Sequence, residues 1–448
     1  MPPTPSPSAP QPAPTPGAPR AALYSLGCRL NHAETAVLHG SLEAAGYAIV
    51  PWGAEAEVCV VNSCTVTAQA DAKTRQALRA ARRRHPGARV VALGCYAQTG
   101  GEKLAAAGLA DLIVGNGAKM ALADLLAEPP AGPGPRLVRP SIPRAPFAQA
   151  GFAAPETATR GTLKVQDGCD FMCAFCIIPV ARGRARPRAL ANVVTEAEHL
   201  AAAGVRELVL TGVNLGTYAD GTASLVEVVD ALDAVGGVAR IRLSSIEPTT
   251  VAEGLLERMA DPAHSLVPFL HLPLQSGSAA VLAAMRRRYG PDAYRAFAEG
   301  ALGRVADLCL GTDVMVGFPG EDDAAFGETF ALLEGLPFAY LHVFPYSVRA
   351  GTAAARMAGQ VPPPVRQRRA AALRALGEAQ RRRFHARHLG RTEVVLFEGG
   401  APGAPAAGYT ANYVRVQVAA PDPAALRNRL LPVRLVEAGS EAVAGVLA

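Results

Sequence analysis

The sequence predicts an α/β protein in three folded parts: an N-terminal open parallel α/β domain, a central partial (βα)6 barrel and a small C-terminal all-β barrel. Three observations predict it. From residue 21 apolar strands, polar turns and helical stretches alternate; after a proline-rich break the alternation resumes through six more strands; and residues 389–448 read as strands with no helices between them.

In the first part, "AALYSLGC", "AEVCVVNSC" and "ARVVALGC" are short β-rich runs, each ending in a turn that carries a cysteine, and "ETAVLHGSLEAAG" has the helical spacing that follows such a strand. Alternation of this kind builds a parallel sheet, and the loops leaving the carboxyl ends of an open parallel sheet form its ligand crevice. Cys28, Cys64 and Cys95 are therefore expected to converge there. Residues 129–160, beginning "PPAGPGPRLVRPSIPRAP", show neither helical nor strand periodicity and read as a linker.

In the central part the strand candidates are "TLKVQ", "RELVLT", "ARIRLSS", "PFLHLPL", "LCLGTDVMVGF" and "AYLHVFPYS". Six βα units are fewer than the eight of a closed barrel, so a partial barrel with its site at the strand C-termini is expected. A helix near 363–389 follows, and then "TEVVLFEG", "GYTANYVRVQV" and "LPVRLVEAG" with Gly and Pro between them, the pattern of a small barrel. The organisation expected is a disordered proline-rich tail at 1–20, an α/β domain at 21–128, a linker at 129–160, the barrel with its trailing helix at 161–388 and the β domain at 389–448.

Composition narrows the class. No export signal and no uncharged apolar run of membrane-spanning length is present, so a cytoplasmic protein without a membrane partner is expected. In that reducing compartment eight cysteines point to metal or redox chemistry rather than disulfides. The net charge of +6 suits a polyanionic partner, but arginine accounts for nearly all of the positive charge in an alanine-rich chain, so only local clusters carry weight.

The densest cluster is "DGCDFMCAFCIIPVARGRARPR", in which Cys169, Cys173 and Cys176 are spaced C-x3-C-x2-C directly after a strand. Three thiolates on one tight loop leave a structural zinc one ligand short, and His199 lies on the next helix. They can hold three irons of a [4Fe–4S] cube and leave one iron free; a zinc knuckle with a distant fourth ligand is the alternative. Cys59 and Cys309 sit inside apolar strands and read as core.

This spacing, with Phe175 just before the last cysteine and six strands around it, resembles the radical S-adenosylmethionine (SAM) superfamily. The resemblance implies that the free iron chelates SAM and that an electron passed to its sulfonium releases a 5′-deoxyadenosyl radical. Cys28, Cys64 and Cys95, in "SLGCRLNHAET", "VNSCTVT" and "LGCYAQ", resemble the N-terminal domain of the methylthiotransferases, which carries a second [4Fe–4S] cluster on three cysteines. Two incomplete cubes facing one cavity would suit that reaction, one making the radical and one presenting sulfur; three separately buried cysteines are the alternative.

Within that family, "GCRLNHAET", "RIRLSSIEP", "HLPLQSGSAAVLAAMRRRY", "DVMVGFPGE", "LHVFPYSVRAGTAAARM" and "GYTANYVRV" resemble the branch acting on N6-threonylcarbamoyladenosine in transfer RNA, with Arg29 where lysine is usual. The resemblance implies a radical SAM barrel, a C-terminal TRAM-like module that grips tRNA, two [4Fe–4S] clusters, SAM, and a reductant such as flavodoxin or ferredoxin acting on a monomer. Candidate SAM contacts stand at successive strand ends: Phe175 beside the cluster, Gly212 and Asn214 in "LTGVN", Ser245 and Glu247 in "SSIEP", and Gly317 in "GFPGE". Candidate RNA contacts are Arg182, Arg184, Arg186 and Arg188 in "RGRARPR" and Arg381, Arg382 and Arg383 on the trailing helix, where eight arginines and one glutamate lie between Val365 and His388. A solvated charged turn is the plain reading of the first set. Phe171, Tyr218, Tyr346 and Tyr409 are aromatic candidates for stacking a splayed base.

The expected activity is insertion of sulfur and methyl at C2 of threonylcarbamoyladenosine. Its rivals are the same chemistry on isopentenyladenosine tRNA or on a ribosomal-protein aspartate, and, from another class, a non-catalytic Fe–S RNA-binding protein.

Overall fold

The computed structural model describes residues 17–129, 132, 134–149, 159–221, 223–401 and 403–448. The proline-rich tail read over 1–20 lies outside the described residues up to position 16, as do 130, 131, 133 and 150–158 of the linker. The chain divides into two compact units, the first within residues 1–157 and the second made mainly of residues 158–448.

The first unit contains β1 (Arg20–Ser25), α1 (Arg29–Ala44), β2 (Ala48–Val50), β3 (Val58–Ser63), α2 (Ala68–Arg84), β4 (Arg89–Gly94), α3 (Cys95–Ala106), β5 (Leu112–Val114), α4 (Leu122–Ala127) and β6 (Arg136–Val138). Its sheet has the order β2-β1-β3-β4-β5-β6, parallel throughout. Every residue of β3 is buried, because a parallel sheet is covered on both faces. Alternate residues supply the two cores: Cys59, Val61, Val90 and Ala92 meet Leu78 and Leu104, while Val58, Val60, Val91 and Leu93 meet Leu38, Leu42 and Leu122. Strand order reverses between β1 and β3, the switch point where such sheets bind ligands. The linker reading is corrected at β6, which pairs with β5 in register Leu112↔Arg136. A three-residue strand is too short to show periodicity.

In the second unit six parallel strands follow one another around an arc: β7 (Arg160–Lys164), β10 (Glu207–Thr211), β11 (Arg240–Leu243), β12 (Phe269–His271), β13 (Cys309–Val316) and β14 (Tyr340–Pro345), with the short antiparallel pair β8 (Gln166–Asp167) and β9 (Arg186–Pro187) beside the first. Single parallel bridges, Ile241↔Leu266 and Ser245↔His271, join the β7-β10-β11 half to the β12-β13-β14 half. This is the expected partial (βα)6 barrel. Helices α5 (Ile178–Arg182), α6 (Leu190–Ala202), α7 (Leu225–Asp233), α8 (Glu253–Ala260), α9 (Ala279–Ala284), α10 (Pro291–Arg304) and α11 (Asp323–Glu334) connect the strands. The long basic helix α12 (Pro363–Ala386) packs on the outer face of β14, where Gly377 meets Leu341.

A closed five-stranded TRAM-like barrel ends the chain, formed by β15 (Thr392–Gly399), β16 (Ala406–Tyr409), β17 (Arg415–Val418), β18 (Leu430–Ala438) and β19 (Val443–Leu447) in the order β15-β16-β17-β19-β18. Its core merges with Val267, Phe269, Cys309 and Ala339 at the N-terminal ends of the large barrel's strands. Arg240 donates to the Tyr409 and Val394 carbonyls at 2.8 and 2.7 Å, and Arg242 lies over the Phe269 and Tyr413 rings while pairing with buried Glu207 at 2.8 Å.

Burial alone would raise Glu207, but Arg242 beside it holds the carboxyl below its usual range. A lowered folded-state pKa gives stability that is present above the unfolded value and lost as pH falls through the folded one. The melting temperature is therefore expected to hold between about pH 8 and 5 and to fall below about pH 4, with Glu207→Gln reducing that acid dependence in a calorimetric series.

Candidate active site

The three N-terminal cysteines leave three adjacent strands. Register sets Ser25 opposite Asn62 and Ser63 opposite Gly94, so the chain turns at one edge before Cys28, Cys64 and Cys95. Cys28 stands at the N-cap of α1 and Cys95 opens α3, whose first N–H groups, of Tyr96 and Ala97, are taken by the Ser63 hydroxyl at 3.0 and 3.3 Å. The Cys64 sulfur stands against the backbone at Gly27: a Cβ there would lie 2.6 Å from it, and φ of +98° also favours glycine. Asn31, within "GCRLNHAET", ties the loops together by donating to the Leu26 carbonyl at 2.7 Å and the Ser63 carbonyl at 2.9 Å. Asn116 reaches the Cys95 sulfur at 3.5 Å and takes a 2.8 Å bond from Lys119, which forms a buried ion pair with Glu34. Cys28 is exposed whereas Cys64 and Cys95 are buried.

The second cysteine loop is anchored to the barrel by Gln166 and Asp167, two residues that the sequence reading passed over although they immediately precede it. Gln166 accepts from Val213 N and Asn214 N at 2.8 and 3.0 Å and donates to the Gly168 carbonyl at 2.8 Å, stapling the loop to the end of β10. Asp167, 1% exposed, accepts from Lys164 at 2.8 Å, Arg182 at 3.1 Å and Arg186 at 3.2 Å. Gly168 has φ of +70°, and a Cβ on it would overlap the Arg184 carbonyl oxygen. Gly168→Ala is therefore expected to displace the loop: iron bound there falls by more than half, measured per chain after anaerobic reconstitution, and the melting temperature drops.

Cys173 takes a 3.3 Å bond from Arg287, which also pairs with Glu247, so one guanidinium links the thiol loop to the end of β11. Burial pushes the Cys169 thiol up to about 11 and the closely surrounded Cys176 thiol up to about 12. Bare thiolates are thus disfavoured here, and a bound cation reverses the balance. Among the described residues these three sulfurs do not all come within 4.8 Å of one another. A single zinc with bonds of ~2.3 Å would hold them about 3.8 Å apart, so the donor set fits a larger iron–sulfur cube.

The predicted SAM contacts divide. Asn214 is 2% exposed and its Nδ2 has no partner, an amide donor held in reserve beside the cysteine loop. Phe175 packs edge-on to Phe318, Ser245 lies just past β11 in a bridge with His271, and Glu247 is raised by burial despite Arg287. Two expectations are corrected. At Gly317 the Arg366 side chain fills the space where a Cβ would stand, and φ of +72° itself calls for glycine. Gly212 is small because Gln166 and Leu215 press on it.

The phosphate-facing reading of "RGRARPR" is corrected for three of its four arginines. Arg182 and Arg186 are spent on Asp167, and Arg188, fully buried, pairs with Glu196 and donates to Asn192 Oδ1 at 2.6 Å. Glycine turns and buried acids nearby draw these side chains inward. Arg184 alone of the four keeps a surface guanidinium, 3.8 Å from Asp170. On α12, Arg382 and Arg383 are exposed and Arg381 is half-buried. Of the aromatic candidates, Tyr218 is buried and donates to the Arg188 carbonyl at 2.7 Å, Tyr409 stacks on Tyr413 below the barrel, Tyr346 packs on Phe318, and Phe171 lies under Arg288. Cys59 and Cys309 are core residues.

Six parallel strands in an open arc, with three cysteines on the loop after the first, define a radical SAM domain, and residues 163–333 match the profile of the Radical SAM superfamily. Residues 20–115 match that of the Uncharacterized protein family UPF0004. A solved radical S-adenosylmethionine methyltransferase, TsrM from Kitasatospora setae, shares the fold with a TM-score of 0.57 at 16% identity, covering 75% of this chain and 77% of that one. The threonylcarbamoyladenosine tRNA methylthiotransferase MtaB of Bacillus subtilis (strain 168) is 34% identical over 93% of this chain and 94% of its own length, and that of Aquifex aeolicus (strain VF5) is 35% identical over 83% and 91%. The chain belongs to the threonylcarbamoyladenosine tRNA methylthiotransferase family. Among the described residues no helix is long and apolar enough to cross a membrane.

Proposed function

We propose that this protein inserts sulfur and methyl at C2 of the threonylcarbamoyladenosine beside the anticodon of tRNA, in the cytoplasm, as a monomer supplied with electrons by a flavodoxin or ferredoxin. It would do so with an N-terminal domain at 21–128 extended by β6, a barrel with its trailing helix at 161–388 and a β domain at 389–448. The observation that carries this reading is the placement of Cys28, Cys64 and Cys95 at the ends of three adjacent parallel strands, alongside a complete second triad at Cys169, Cys173 and Cys176.

Each triad would hold a [4Fe–4S] cluster, and the pair supplies reductive cleavage of SAM and sulfur delivery when bound. The chain's own residues prepare those steps. Arg287 places positive charge on the Cys173 sulfur and fixes Glu247 at the strand end. Asn214, unpartnered and buried, offers an amide N–H to a polar group of SAM. Cys28 and Cys95 stand at the starts of α1 and α3, where the helices fix the backbone that carries them.

The tRNA backbone is met by Arg381, Arg382 and Arg383, with Arg184 as the exposed arginine of the cluster loop. Arg382→Glu with Arg383→Glu is expected to weaken tRNA binding at least tenfold near physiological salt and to lower the slope of log affinity against log salt by roughly one or two; filter binding over a salt series reads both. The reading as a whole is tested by mass spectrometry of nucleosides from a deletion strain. Loss of the methylthio form of threonylcarbamoyladenosine, restored by this chain but not by its Cys28→Ala form, supports it; an unchanged nucleoside profile overturns it.

A further inference from the structure

The barrel carries a compact trio of side chains to which the reaction above assigns no role. His271 on β12, Asp313 on β13 and His342 on β14 come from three neighbouring parallel strands. Register sets Asp313 opposite His342 and His271 opposite Gly311, two positions before Asp313 on the same face. The Tyr340 ring fills the place where a Cβ on Gly311 would stand, which sets its hydroxyl beside His271. Leu341 points outward against α12, so His342, the next residue, points to the concave side.

His271 Nε2 lies 3.0 Å and His342 Nδ1 3.3 Å from the same oxygen, Asp313 Oδ1, and all three donor atoms fall within 4.8 Å of one another. A tetrahedral zinc with bonds of ~2.0–2.1 Å sets its ligand atoms about 3.3 Å apart, the spacing found here. The outer ring nitrogen of His271 is 2.9 Å from the Tyr340 hydroxyl, the kind of second partner that orients a ligating imidazole. His271 is further clamped between the Tyr340 and His342 rings, with centroids 5.6 and 5.2 Å away. His271 is 6% exposed while Asp313 is 23% and His342 55% exposed, which leaves the trio an opening on one side.

We propose that His271, Asp313 and His342 form a three-ligand site for a borderline divalent cation such as zinc, with its fourth position open to the concave face of the barrel. Ligand number, mixed imidazole and carboxylate chemistry, an oriented second partner and an entry path are the features of a zinc site that keeps one place for water or another oxygen donor. The site is independent of which nucleoside the enzyme modifies.

Holoenzyme reconstituted without oxygen, stripped of loose metal and dialysed against zinc, is expected to take up about one zinc per chain beyond its iron. X-ray absorption at the zinc edge should show nitrogen and oxygen neighbours at ~2.0–2.2 Å and no sulfur at ~2.3 Å. Asp313→Asn and His342→Gln should each lower zinc affinity by at least about tenfold, and Tyr340→Phe by roughly tenfold through loss of orientation. Iron content should be unchanged in His342→Gln, whose ring is half-exposed and whose loss leaves the fold intact. No uptake of zinc, a sulfur shell, or equal zinc affinity in His342→Gln overturns the proposal, because the trio is then only a hydrogen-bonded group.

Discussion

Cys64→Ala protein, reconstituted without oxygen, is expected to hold about four irons per chain where the unaltered protein holds about eight. The two cysteine sets are on separate compact units, so loss of one cluster should leave the other intact. Cys64→Ala should still form 5′-deoxyadenosine from SAM under reducing conditions and make no methylthio nucleoside. Cys173→Ala should do neither, since it removes both a sulfur ligand and the partner of Arg287. Iron analysis with a SAM cleavage assay reads both variants. If both lost all of their iron, or if Cys64→Ala kept full product formation, the division of labour between the triads would be wrong.

Arg188→Ala is expected to cost roughly 3–5 kcal/mol, because it leaves the Glu196 carboxylate buried without its cation. That corresponds to a melting temperature lower by about ten degrees for a unit of this size. Replacing both partners, Arg188→Met with Glu196→Leu, should recover most of the loss, since well-packed apolar residues often substitute for a buried pair without penalty. Arg184→Ala should shift stability by less than about 0.5 kcal/mol and instead weaken tRNA binding. Equal effects of Arg184→Ala and Arg188→Ala on tRNA affinity, with no difference in stability, would restore the reading in which the whole row faces the nucleic acid.

Much of the fold was legible because its signals are periodic and local. The six barrel strands lie where apolar runs predicted them, and the cysteines end strands as the alternation required. What escaped was long-range or short. β6 is three residues within a proline-rich stretch, and only pairing with β5 reveals it. The arginine row misled because a linear pattern of cations says nothing about Asp167 and Glu196, whose burial decides where those side chains turn. Gly212 and Gly317 were read as space left for a ligand, whereas Gln166 and Arg366 of the protein itself fill it. Asn214 was singled out by its place at a strand end, and the structure shows a buried amide Nδ2 without a partner there. The His271, Asp313 and His342 trio is spread over 72 positions and was invisible before the strands were set side by side.

The junction of the two barrels has a practical consequence. Phe269 and the guanidiniums of Arg160, Arg240 and Arg242 rest on Tyr409, Tyr413 and the β15 backbone, so the small β-barrel doubles as the floor of the larger one. Cutting the chain near residue 388 would leave three cations and an aromatic layer facing water. The small barrel is therefore a fixed foundation of the larger one, and access to the chamber is left to the opposite mouth, at the carboxyl ends of the strands.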